Sequence, residues 1–293
     1  FPSRISAADF CADYHSDYRD VSGRCGRNVE KQVKIYRSWK IYHLGGVMAL
    51  LELEKVTKRF GGLIAVDRVS LQIKRGQFVG IVGPNGSGKT TLFNCISGVF
   101  FPEEGQIIFE GQNITTLPPY KRAPLGIGRT FQIPRPFASA SVRENIAVGA
   151  MFGTIGSKVN VDQALEFADI IAKRVGLDEH RDKIAGTLTP VEKKLMEIAR
   201  ALAMKPKLLL MDEAMAGMHP NDIDEMVALI KKIAEEDKIA IVAMVEHIMR
   251  AVVGMAEKVI VLDQGAKIVD APTQEALQDP KVVEVYLGHP PEG

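Results

Sequence analysis

Apolar and polar residues alternate along Met48-Ala-Leu-Leu-Glu-Leu-Glu-Lys-Val56, the period-two pattern of a strand with one buried face. Strand-like runs continue to Ile73, with Phe60-Gly61-Gly62 as a turn between them, and residues 105–110 add another. Residues 78–82 are apolar throughout and suit a buried strand. Behind them, residues 91–97 suit a helix that stops at Gly98. Residues 126–132 read as a strand leading to the polar Gln132, after which Pro134 and Pro136 break the pattern. Ser141-Val-Arg-Glu144 is a capping box that starts a helix at Val142, and a second helix fits residues 161–174, with Gly176 beyond its end.

Thr189-Pro-Val-Glu192 is another capping box, with Pro190 at the first helical position, where its missing N–H costs least. That helix ends before Pro206. An apolar strand over residues 207–211 then delivers Asp212 and Glu213 at its carboxyl end. Helix 220–236, strand 239–245, Glu246-His247, helix 248–256 and strand 259–262 complete a parallel βα alternation. Antiparallel strands beside a parallel core predict an α/β fold with a mixed sheet and a helical insertion.

Between the strand at 78–82 and the helix after it lies Gly83-Pro84-Asn85-Gly86-Ser87-Gly88-Lys89-Thr90-Thr91. This fits the phosphate-binding pattern Gly-x-x-x-x-Gly-Lys-[Ser/Thr] in its required order of strand, loop and helix. Gly83, Gly86 and Gly88 let backbone N–H groups converge on phosphate oxygens at the positive end of the helix dipole. Lys89 reaches the β- and γ-phosphates, and the Thr90 hydroxyl suits the shell of Mg²⁺. The acids after the second apolar strand complement that loop. Asp212 can hold Mg²⁺ through water, and Glu213 can polarise a water that attacks the γ-phosphate. Phe60 can stack on a nucleotide base or serve as a core residue, and spacing does not choose between them.

Composition narrows the class. At 293 residues the chain suits one large domain or two modest ones, and its formal charge of +1 gives no reason to expect a nucleic-acid partner. Cys11, Cys25 and Cys95 have neither metal-site nor paired-disulfide spacing. The longest apolar runs fall well short of the roughly 18 residues a membrane helix needs. Residues 1–47 differ from the rest: they hold the only tryptophan, Trp39, and four of the six tyrosines. The expectation is that Met48 is the natural start and that residues 1–47 are a largely disordered leader from upstream translation. A basic regulatory or membrane-surface arm is the alternative.

The phosphate loop, Gln132 after a strand, the capped helix ahead of Leu208-Leu-Leu-Met-Asp-Glu213, and His247 after the next strand stand in the order of the ATP-binding cassette (ABC) ATPases. The chain resembles that family over about residues 49–288. The resemblance implies ATP and Mg²⁺ as ligands, and an ATPase domain over 48–289 with a helical subdomain at about 137–205. It also implies roles for single residues. Gln132 links metal and water to a transmembrane partner, Glu213 is the catalytic carboxylate, His247 contacts the γ-phosphate and Phe60 stacks on adenine. Metal contacts fall to Thr90, Gln132 and Asp212, partly through water.

The resemblance further implies that two such subunits close head-to-tail around two ATP molecules. Where the family carries L-S-G-G-Q, this chain has Leu188-Thr189-Pro190-Val191-Glu192. Pro190 has no N–H to donate across the dimer, Val191 adds bulk, and Thr189 is a candidate cap for its own helix. Each lost charge-assisted contact costs about 1.5–3 kcal/mol. His219 stands where an acid or amide is usual. A heterodimer with a second ABC ATPase is therefore expected, with a homodimer as the alternative.

The run Ile127-Gly-Arg-Thr-Phe-Gln-Ile-Pro-Arg-Pro-Phe137, the stretch Met211-Asp-Glu-Ala-Met-Ala-Gly-Met218 and the end Pro280-Lys-Val-Val-Glu-Val-Tyr-Leu-Gly288 resemble ATP-binding subunits of branched-chain amino acid importers. That implies transmembrane permease subunits, an extracytoplasmic solute-binding protein and a peripheral position on the cytoplasmic face of the membrane. Importers of urea or amides and exporters of lipopolysaccharide are close alternatives. A nucleotide switch outside transport is disfavoured, because the chain has one phosphate loop and no sustained heptads.

Overall fold

The computed structural model describes residues 49–282 apart from 214, 216, 245–253 and 255. The leader, His247, most of the helix expected over 248–256 and most of the run 280–288 lie outside the described residues.

Two long strands, β1 (Ala49–Phe60) and β2 (Leu63–Lys74), pair antiparallel across the Gly61-Gly62 turn. With β4 (Glu104–Phe109) and the short β5 (Gln112–Asn113) they form a four-stranded sheet in the order β2-β1-β4-β5. The second sheet has six strands in the order β10-β9-β3-β8-β7-β6. Its members are β3 (Phe78–Val82), β6 (Ile127–Arg129), β7 (Leu208–Asp212), β8 (Ala240–Met244), β9 (Lys258–Asp263) and β10 (Ala266–Pro272). All neighbours are parallel except β10, which runs antiparallel on the edge. The fold is thus the mixed α/β architecture read from the sequence. The sixth strand, β10, was not expected. Its only buried residue is Val269, so it lacks the apolar signal that marks β3 and β7.

Helix α1 (Lys89–Ser97) follows β3 and is sandwiched between the two sheets. Leu92, Phe93 and Ile96 are fully buried against Leu51, Val56 and Phe109 of one sheet and Val79, Leu210 and Ile260 of the other. Gly98 ends it in the left-handed conformation (φ 82°). The last carbonyls of α1 gain an unusual partner. The buried guanidinium of Arg122 donates to Cys95 O and Ile96 O at 2.7 and 2.8 Å, and also to Leu117 O and Thr115 O. A cation at a helix C-terminus complements the macrodipole. Its burial nevertheless pulls the Arg122 pKa down to about 10.

Between β6 and β7 lie α2 (Val142–Phe152), α3 (Val161–Arg174) and α4 (Pro190–Ala203). Each begins with a complete capping box, set by Ser141–Glu144, Asn160–Gln163 and Thr189–Glu192. Their apolar faces share one core with the far side of the parallel sheet, through Ile146, Ala168, Ile171, Met196, Leu209 and Ile241. Helix α5 (Pro220–Asp237) follows β7. Among the described residues, no helix is long and apolar enough to cross a membrane.

Candidate nucleotide site

Strands β3, β6 and β7 are parallel, so their carboxyl ends meet on one edge of the sheet, where open α/β folds bind ligands. The phosphate loop leaves β3 at that edge. Gly83 has φ 154° and Gly88 has φ 99°. A Cβ would lie 2.1 Å from Leu262 O at Gly83 and 2.2 Å from Ala65 O at Gly88, so both positions exclude any other residue without movement of the backbone. Gly265 N donates to Ser87 O at 3.0 Å, and Asp67 N donates to Gly265 O at 2.8 Å. These two bonds fix the loop to both sheets.

Lys89 is 3% exposed and donates from Nζ to Gly83 O and Pro84 O, both at 2.9 Å. Its ammonium is thereby held inside the curve of the loop. Ser87 Oγ is buried there without a hydrogen-bond partner, the kind of orphan that calls for an external group. Beside the loop is a cleft of about 600 Å³, within the range of small-molecule sites. Phe60, Leu63 and Ile64 line one wall, and Gly86, Gly88, Lys89, Thr90 and Thr91 line the other. Phe60 is 43% exposed, so it is not a core residue. Its ring stands edge-on to Phe100 with centroids 5.2 Å apart.

At the end of β7, Glu213 adopts φ 43°, a left-handed conformation uncommon for a residue other than glycine. Its Oε2 accepts from Gln132 Nε2 at 2.6 Å. The glutamine lies on the loop after β6, which is shorter than the sequence pattern implies. Only Ile127–Arg129 pairs as a strand, and Thr130 N makes one further bond to Leu210 O at 2.9 Å before the chain turns away. Asp212 is buried and its Oδ2 pairs with Arg129 Nη2 at 2.9 Å. Arg129 is the residue that the sequence reading missed. Its partners lie 35, 32 and 83 positions away, so nothing local marks it as more than a charged strand end.

Helix α4 holds the Gln132 loop from the other side. Arg200 Nη1 donates to Arg135 O at 3.0 Å, and its guanidinium lies 5.8 Å from the Phe137 ring centre. Burial raises the Glu197 pKa beside it, partly offset by Arg200. Burial likewise lowers the Lys194 pKa, with Glu197 and Glu213 acting against it.

The segment 188–192 at the start of α4 is turned inward on itself. Thr189 Oγ1 accepts from Glu192 N at 3.3 Å, and Thr189 N donates to Glu192 Oε2 at 2.7 Å. Glu192 Oε1 also lies 2.6 Å from His180 Nδ1. Leu188 is buried, Pro190 is exposed and Val191 is partly covered.

A strand, glycine loop and helix with a buried lysine, joined to an acidic pair at the end of a parallel strand, define a nucleoside-triphosphate-binding protein of the phosphate-loop class. Comparison narrows that class. Residues 66–216 match the ABC transporter family, ABC_tran. The chain is 35% identical over 250 residues to the high-affinity branched-chain amino acid transport ATP-binding protein BraF of Pseudomonas aeruginosa, covering 82% of this chain and 98% of that protein. It is also 35% identical to the probable branched-chain amino acid transport ATP-binding protein LivG of Archaeoglobus fulgidus, covering 82% and 96%. Among solved structures, a nucleotide-free ATP-binding cassette from an ABC transporter superposes with a TM-score of 0.74 at 32% identity, covering 83% of this chain and all of that one. The chain therefore belongs to the ABC transporter family, as an ATP-hydrolysing subunit.

Proposed function

We propose that this chain powers the import of branched-chain amino acids, hydrolysing ATP on the cytoplasmic face of the membrane while partner permeases carry the solute. The observation that carries the hydrolytic assignment is the Gln132–Glu213 contact at the carboxyl edge of the sheet, the edge at which the phosphate loop with its seated lysine also lies. The solute class rests on the names of the relatives.

In this reading the ATPase domain spans 48–289, with its helical subdomain at about 137–205. Backbone N–H groups of residues 85–90 and the ammonium of Lys89 bind the phosphates, and Phe60 stacks on the adenine. Glu213 accepts a proton from the attacking water, and Gln132 orients both. His247 supplies a further γ-phosphate contact by family resemblance.

The residues also suit Mg²⁺. Thr90, Gln132 and Asp212 offer only hard oxygen donors, few enough to leave places for water and phosphate oxygens, as Mg²⁺ prefers. The ion would neutralise charge that develops on the β- and γ-phosphates.

Substituting Glu213→Gln is expected to lower ATP turnover by about 100-fold or more while ATP binding persists. Unchanged turnover would remove Glu213 from the mechanism. Affinity capture of the chain from its native membrane should recover two permeases and a second ATPase, and vesicles holding that complex should take up labelled leucine only with ATP. Uptake of a different solute class by the same vesicles would correct the cargo and leave the ATPase assignment standing.

A further inference from the structure

Arg129 touches two elements that each carry a nucleotide-site residue, α1 with Lys89 and β7 with Asp212. It sits at the end of β6, three residues before Gln132. Its Nη1 donates to Asn94 Oδ1 at 2.7 Å and to Ser97 Oγ at 2.9 Å, both on the helix that begins at Lys89. Its Nη2 donates to Asp212 Oδ2 at 2.9 Å. The side chains of Arg129 and Asp212 are only 10% and 7% exposed.

Stability alone is a weak explanation for such a pair. Removing two charges from water costs energy that the attraction only partly returns, so buried ion pairs are often no better than apolar packing. The geometry does something apolar packing cannot do: a planar fork bonded on two sides fixes the direction of the third group it holds. The ion pair occupies Oδ2 of Asp212 and leaves Oδ1 for the water shell of a cation at the sheet edge. Asn94 and Ser97 set the guanidinium plane from the phosphate-loop helix, so the carboxylate is aligned to the loop rather than merely to its own strand.

We infer that Arg129 is a positioning residue for Mg²⁺, holding Asp212 from behind so that its second oxygen faces the metal of the bound nucleotide. The inference rests on the proposed role of Asp212 at the metal. Groups that orient a metal ligand in this way are worth about 10- to 100-fold in metal affinity.

The test is a MgCl₂ titration of ATP binding to the full chain, carried in the Glu213→Gln background to prevent turnover. Arg129→Met should raise the Mg²⁺ concentration at half-saturation by about 10- to 100-fold, while ATP affinity measured in EDTA stays within about twofold of the parent. Arg129→Lys should recover part of the shift, because an ammonium keeps the charge and loses the fork. A folded Arg129→Met chain with unaltered or tighter Mg²⁺ dependence would overturn the inference. If Arg129→Met does not fold, Asn94→Ala and Ser97→Ala remove the alignment and keep the ion pair; they should shift the Mg²⁺ midpoint in the same direction, and no shift in either overturns the inference.

Asp212→Asn separates the two layers. A midpoint that moves in Asp212→Asn but not in Arg129→Met refutes the role of Arg129 alone. One that moves in neither refutes the role of Asp212 and the inference with it.

Discussion

The three glycines of the phosphate loop answer to different constraints, and substitution should separate them. At Gly83 and Gly88 a Cβ meets backbone oxygen at 2.1 and 2.2 Å, whereas at Gly86 it meets nothing within 4 Å. Gly86→Ala therefore carries only the left-handed backbone penalty, about 1–2 kcal/mol. Gly83→Ala and Gly88→Ala add overpacking of about 1–3 kcal/mol. Urea midpoints should fall in that order, and equal losses at all three positions would show that the collisions relax freely. The loop itself was legible because its residue types and spacing are dictated by phosphate geometry within nine consecutive positions. Arg129 was not, because its role exists only after β6, α1 and β7 have been brought together. Phe60 lay between these cases: its aromatic ring was visible, but its exposure was not.

At the scale of elements, capping chemistry made helix starts readable to the residue. Val142 and Pro190 begin α2 and α4 as their boxes require, and Asn160–Gln163 forms a third box that a Ser/Thr search passes over. Strands fared by burial: fully buried β3 and β7 were plain, while β5 and β10 at sheet edges were not. The Thr189 cap gives a direct test. Thr189→Ala should lower stability to urea by about 1 kcal/mol, and a loss near zero would mean that the hydroxyl is not needed by α4.

Glu192 adds a pH dependence to the same helix start. The Thr189 N–H is the main cause of its lowered pKa, with His180 and Lys183 contributing and desolvation opposing. Because the folded value lies below the ordinary 4.5, its contribution is present above pH 4.5 and is lost as pH falls through the lowered value. Melting temperatures of the parent and Glu192→Gln should therefore converge below that range. A gap that stays constant with pH would assign the difference to packing.

For the whole molecule, the self-capped segment 188–192 bears on assembly. In the proposed pairing of two ATPase subunits, with Thr189 Oγ1 and Glu192 committed to their own helix and no N–H at Pro190, this segment would have little to offer a γ-phosphate held by the other subunit. Purified alone, it should turn over ATP slowly, and addition of a partner ATPase with a glycine-containing segment at that place should raise the rate. Fast turnover by the isolated chain, equal to that of the mixed pair, would contradict this. The bonds from Ser87 O to Gly265 and from Gly265 O to Asp67 reach further than local tidiness. They weave the phosphate loop into the hydrogen-bond network of two sheets, so ordering of that part of the loop belongs to the folding reaction and not to the encounter with nucleotide. The amide protons of Asp67 and Gly265 should consequently exchange with deuterium as slowly in the empty protein as in the filled one, and the unfilled cradle should survive every cycle of transport intact.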